Sequence, residues 1–111
     1  MTILATWGDF EEEVLKAENP VVALFHASWC SFCRAYLPDF RGSKANGVKL
    51  VEVDISSESS PFWDAYGIEI TPTLILFHEG KVAGRADGRS LRGLEKGDLE
   101  RLLQLARENK R

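Results

Sequence analysis

The chain has 111 residues, 44% apolar and 28% charged, with a formal net charge of −3. That is enough for one domain spanning 1–111 with a core of its own, and the mild acidity argues against nucleic-acid or anionic-membrane binding. No stretch approaches the roughly eighteen apolar residues a membrane span needs, and the N-terminal Met1-Thr2-Ile3-Leu4-Ala5-Thr6-Trp7 lacks the basic and long apolar regions of a signal peptide, so a reducing cytoplasm is the expected compartment.

Taken in order, Ile3 and Leu4 suit a short edge strand. Residues 7–17 carry Phe10, Val14 and Leu15 at helical spacing, and Glu11, Glu12 and Glu13 fall in early turns, where the helix dipole favours acids. Asn19-Pro20 stops that helix. Residues 21–26 form a nearly continuous apolar run of strand formers, as expected of a strand buried on both faces. A helix should follow from Ser31 to Phe40 or slightly beyond, kinked by the missing donor of Pro38. After a loop over 42–47, Val48, Leu50, Val51, Val53 and Ile55 predict a second buried strand, closed by Asp54 and Ser56-Ser57. Ser59 or Ser60 is placed to cap a short helix with Pro61 in its first turn, running through Trp63 and Tyr66 to Gly67.

Leu74 to His78 predicts a third apolar strand, and Glu79-Gly80 turns it into a hairpin with residues 81–86. Residues 87–93 read as loop. Residues 94–106 place Leu94, Leu99, Leu102, Leu103, Leu105 and Ala106 on one broad face of a closing amphipathic helix, followed by a charged tail, 107–111. The order β-α-β-α-β-α-β-β-α predicts an α/β fold, a mixed sheet of five strands with helices on both faces, its antiparallel part supplied by the hairpin.

Both cysteines of the chain fall within Trp29-Cys30-Ser31-Phe32-Cys33. Two cysteines placed at random would have this spacing about one time in fifty, so a shared chemical role is expected. The pair sits where a strand ends and a helix begins. Unpartnered N–H groups at a helix start favour a thiolate there, and sites in such sheets gather at the carboxyl ends of strands.

With these residues assembled, the chain resembles the thioredoxin family over nearly its whole length. The resemblance is carried by Trp29-Cys30-Ser31-Phe32-Cys33, Pro38, Asp54, Tyr66-Gly67-Ile68, Thr71-Pro72-Thr73, Phe77, Gly80 and Gly88. It implies a thioredoxin-like fold with Pro72 as a cis proline facing the CxxC motif, so that Thr71 turns its backbone toward the thiols to pair with an extended substrate. Three departures stand out. Ser31-Phe32 replaces the usual Gly-Pro. Leu24 and Leu50 stand where the family buries an aspartate and its lysine, an apolar replacement that leaves neither charge unpaired. His26 stands where a second tryptophan is usual.

The activity implied is reduction of protein disulfides, with Cys30 as nucleophile and Cys33 resolving the mixed disulfide. Trp29 would shield the thiolate, Phe32 and Ser31 would meet the client, Thr71, Pro72 and Gly88 would shape the groove, and His26 would share the Cys33 proton. No nucleotide or flavin motif appears, so no cofactor is expected; a separate reductase or small thiol would recycle the pair. An isomerase or oxidant of the same fold stays open, as do two readings of another class. One is a metal-binding module using His26, Cys30 and Cys33; the other is a redox-gated binding partner recognising a client through Trp29 and Phe32.

Overall fold

The computed structural model describes residues 2–108. Five strands, β1 (Thr2–Leu4), β2 (Val21–His26), β3 (Lys49–Asp54), β4 (Thr73–His78) and β5 (Lys81–Asp87), form one sheet in the order β1-β3-β2-β4-β5. β1, β3 and β2 run parallel, with Leu4 opposite Val53 and His26 opposite Asp54. β4 lies antiparallel to β2, and β5 antiparallel to β4, so the mixed sheet is as expected. At the hairpin, Glu79 and Gly80 both have positive φ, 53° and 79°, as a tight turn matched to strand twist requires.

Strand alternation divides the core. Val21, Ala23 and Phe25 of β2 join Phe10, Val14 and Phe62 on one face. Val22 and Leu24 join Tyr36, Phe40, Leu99 and Leu102 on the other. The first face is covered by α1 (Trp7–Phe10) and α3 (Phe62–Ala65), the second by α2 (Ser31–Arg41) and α4 (Lys96–Glu108). Both faces are therefore layered with helices, which carries the end of β2 and the start of α2 to one rim of the sheet.

Several local expectations are corrected. The first helix is regular only to Phe10; from Glu11 to Leu15 it widens into a π turn, where the Lys16 N–H reaches back five residues to the Glu11 carbonyl. α2, by contrast, has the expected extent, running from Ser31 through Pro38 to Arg41. α3 is a single turn with Pro61 at the cap position and no side-chain cap; Ser60 Oγ is buried without a partner, so neither serine caps it. Proline fits that position because its missing N–H has no role there. α4 starts at Lys96 instead of residue 94, because the Asp98 carboxylate turns back to accept the Glu95 N–H at 2.8 Å, half of a capping box. β3 contains Glu52, a carboxylate with no exposed surface, in what was expected to be an apolar strand. The tail beyond residue 108 lies outside the described residues.

Candidate active site

The buried run of β2 ends at His26, and Ala27 lies fully covered beneath the bend that follows. Cys30 then occupies the N-cap of α2 in an extended conformation (φ −98°, ψ 116°), and its Sγ accepts the Cys33 N–H at 3.3 Å. A side chain at the N-cap is the one best placed to meet the unpartnered N–H groups of the first turn. Here that side chain is a sulfur. One turn on, Cys33 is completely buried, and both cysteines are free thiols.

These positions set the two acidities apart. Burial alone would raise the Cys30 thiol, but hydrogen bonds from the side chains of Cys33 and Thr71 and from the backbone of Cys33 and Phe32 outweigh it and hold Cys30 below its ordinary value. Burial, reinforced by the bond to Cys30, pushes Cys33 up to about 12. The first thiol is thus the better thiolate and the second a protonated reserve.

Thr71 closes the site from the opposite side. Its carbonyl lies 3.4 Å from Cys30 Sγ, and the Thr71–Pro72 peptide bond is cis. Thr73 Oγ1 donates to the Ile70 carbonyl at 2.6 Å and ties down the segment on either side. Gly88 packs onto it so closely that a Cβ there would collide with the Pro72 carbonyl oxygen. The structure therefore brings Cys30, Cys33, Thr71, Pro72 and Gly88 into one place from segments up to 58 positions apart.

Trp29, Ser31 and Phe32 are exposed around the rim. The Trp29 indole donates to the Ser56 carbonyl at 2.9 Å and stacks on Trp63 at 6.3 Å. Ser56 in turn is held by the Asp54 carboxylate through its N–H and hydroxyl, and its Oγ accepts the Ser28 N–H at 2.8 Å. Asp54 thus fixes the approach to the motif from the neighbouring strand.

His26 belongs to a different arrangement. Its Nε2 lies 3.0 Å from Glu52 Oε1, and Arg41 donates to both Glu52 oxygens at 2.7 and 2.8 Å. Burial would raise the Glu52 carboxyl; the Arg41 guanidinium and His26 reverse this and hold it below its usual range. Sequence reasoning missed Glu52 and Arg41. The available signal was a carboxylate in mid-strand, which when buried needs a cation within reach. Leu24, beside Glu52 in register, is fully buried among apolar neighbours, and Leu50 packs partly buried against the same cluster. Among the described residues, no group of three or more His, Cys, Asp or Glu side chains is placed to hold a metal ion. No described helix is long and apolar enough to cross a membrane.

Comparison with known proteins agrees with this geometry. Residues 1–102 match the family model for thioredoxin. Thioredoxin C-2 of Corynebacterium nephridii is 35% identical over 96 residues, covering 82% of this chain and 87% of that protein. The thioredoxin of Rhodospirillum rubrum is 37% identical over 83 residues, covering 73% and 80%. In structure, the thioredoxin of Malassezia sympodialis superposes with a TM-score of 0.78 over 96% of this chain and 90% of its own, at 23% identity. An N-capping thiol over a buried partner thus sits in a sheet and a sequence shared with known dithiol reductants: the chain belongs to the thioredoxin family and is a thiol–disulfide oxidoreductase with protein-disulfide reductase activity.

Proposed function

We propose that Cys30 is the attacking nucleophile and Cys33 the resolving thiol, acting on disulfides of client proteins. The observation that carries this reading is the asymmetry of the pair: Cys30 sits at the helix cap with its pKa lowered, and Cys33 is wholly covered with its pKa raised. The Cys30 thiolate attacks one client sulfur, forming a mixed disulfide and releasing the other client sulfur as a thiolate. Cys33 then loses its proton to that departing thiolate and attacks Cys30 Sγ. The Cys30–Cys33 disulfide forms, the second client thiolate leaves, and two electrons have passed to the client.

In this reading Thr71 and Pro72 hold the client backbone against Cys30, Gly88 keeps that loop in place, and Trp29, Ser31 and Phe32 border the approach. His26 helps fix the end of β2 through Glu52. A separate reductase or a small thiol returns the electrons, and the domain works in a reducing compartment such as the cytoplasm, where the dithiol form is maintained.

The test is Cys33→Ser mixed with an oxidised protein substrate. The expected product is a stable mixed disulfide through Cys30, seen as a mass adduct released by dithiothreitol. Cys30→Ser should give none. Equal trapping through either cysteine would refute the assignment, and the potential of the wild-type couple, measured against glutathione buffers, fixes the favoured direction.

A further inference from the structure

Leu91 has no place in the chemistry described above, yet it is 86% exposed, more than any other large apolar side chain among the described residues. It stands in a turn closed at its base by two hydrogen bonds, Arg89 N–H to the Gly93 carbonyl (3.0 Å) and Gly93 N–H to the Arg89 carbonyl (2.8 Å). Its own φ is +63°, a conformation that costs free energy for any residue with a Cβ. The turn is also locked to α4: the Arg89 guanidinium donates to both oxygens of the buried Asp98, at 2.9 and 3.1 Å. Leu91 is therefore held out on a braced support.

The support leans on the active site. Gly93 is pressed against Phe32, where a Cβ would come within 3.1 Å of the Phe32 Cβ and 3.3 Å of its ring. Leu91 is two residues away, so its backbone stands within about 7 Å of that contact. Trp29, Phe32 and Ile70, the last adjoining Thr71, are exposed as well. Ser90 and Arg92, either side of Leu91, are exposed and polar, so apolar exposure is confined to the leucine. An exposed apolar side chain held on a braced turn beside a reactive centre is placed where a client would be met.

We infer that Leu91, presented on the 89–93 turn beside Phe32, is a specificity-determining contact that selects clients carrying a bulky apolar side chain within a few residues of the disulfide cysteine. The occupant follows from continuity with the reaction centre. Any client must bring a sulfur to Cys30, and the chain flanking that sulfur on the Phe32 side passes over the turn. The inference rests on the proposed roles of Cys30 and Cys33.

The experiment compares kcat/KM of the full chain on three probes. Two are disulfide-bonded peptides identical except for Leu or Ser next to one cysteine; the third is hydroxyethyl disulfide, which has no side chains. Leu91→Asn suits the positive φ while removing the apolar group, and Leu91→Met restores an apolar one. The wild type is expected to prefer the Leu peptide, Leu91→Asn to lose about fivefold on that peptide, chiefly through KM, and Leu91→Met to recover it. All variants should turn over hydroxyethyl disulfide alike. Equal loss on both peptides, or no loss on either, would overturn the role of Leu91 alone. A wild type idle on all three probes would overturn the reading of the cysteines and the inference with it.

Discussion

Brief alkylation of the reduced protein by iodoacetamide at pH 7 should modify Cys30 almost exclusively. The Cys30 thiol is held below its ordinary value and Cys33 is pushed up to about 12, so with an ordinary thiol near 8.5–9 the gap is on the order of three pK units. At neutral pH that gap makes the Cys30 thiolate roughly a thousandfold more populated. The more basic thiolate is intrinsically the better nucleophile. With a Brønsted coefficient of about 0.4–0.5, this returns roughly 15- to 30-fold to Cys33. The remaining preference is about 30-fold or more, and complete burial of Cys33 makes it a lower bound. Peptide mass mapping after a quenched pulse reads the ratio directly. The rate at Cys30 should level off at lower pH than the rate at Cys33, which still climbs. Replacing Cys33 by Ala removes the hydrogen bond that most lowers Cys30, so the Cys30 midpoint should rise. Comparable labelling of both cysteines, or Cys33 first, would refute the argument from the helix cap.

Glu52→Ala removes a buried carboxylate accepting from Arg41 and His26 and leaves a void, so urea unfolding should show a loss of about 2–4 kcal/mol; a loss below about 1 kcal/mol would show the network to be nearly neutral. The pH dependence has a definite sign. Folded Glu52 lies below its unfolded value, so its stabilisation is complete above the unfolded pKa of about 4.3 and is lost as pH falls through the folded one, and Glu52→Gln should flatten that acid limb. Gly88→Ala sets a Cβ against the Pro72 carbonyl, backbone against backbone, and should lower stability by about 1–3 kcal/mol with slower disulfide reduction; unchanged stability and turnover would remove Gly88 from the site.

What could be read from the chain divides along the range of the forces involved. β2 and β4 were legible because both faces of each strand are covered, which leaves unbroken apolar runs in the sequence. The cysteine pair was legible because its defining contact, Cys33 N–H to Cys30 Sγ, spans three residues. Its contact with Thr71 spans 41, and only resemblance to a family supplied it in advance. Ser59 and Ser60 misled because a one-turn helix is positioned by the packing of Phe62 more than by a cap. Arg41 and Glu52 meet across the gap between α2 and β3, and Leu91 gains meaning only because Gly93 touches Phe32. A mid-strand carboxylate signals only that a cation is needed, not which one, and the relation of Leu91 to Phe32 has no local signal.

Those long-range contacts also bear on where the Cys33 proton goes. Leu24 and Leu50 stand where the family buries an aspartate and a lysine, and Leu24 is sealed among apolar neighbours. The face still contains a buried carboxylate, Glu52, opposite Leu24 on the adjacent strand. That carboxylate is engaged at both oxygens by Arg41 and at one by His26, and its acidity is increased by them. A group so stabilised as an anion is a poor proton acceptor. In the proposed mechanism the base for Cys33 is the client thiolate released in the first displacement, and the resolving step should then track the basicity of that leaving sulfur.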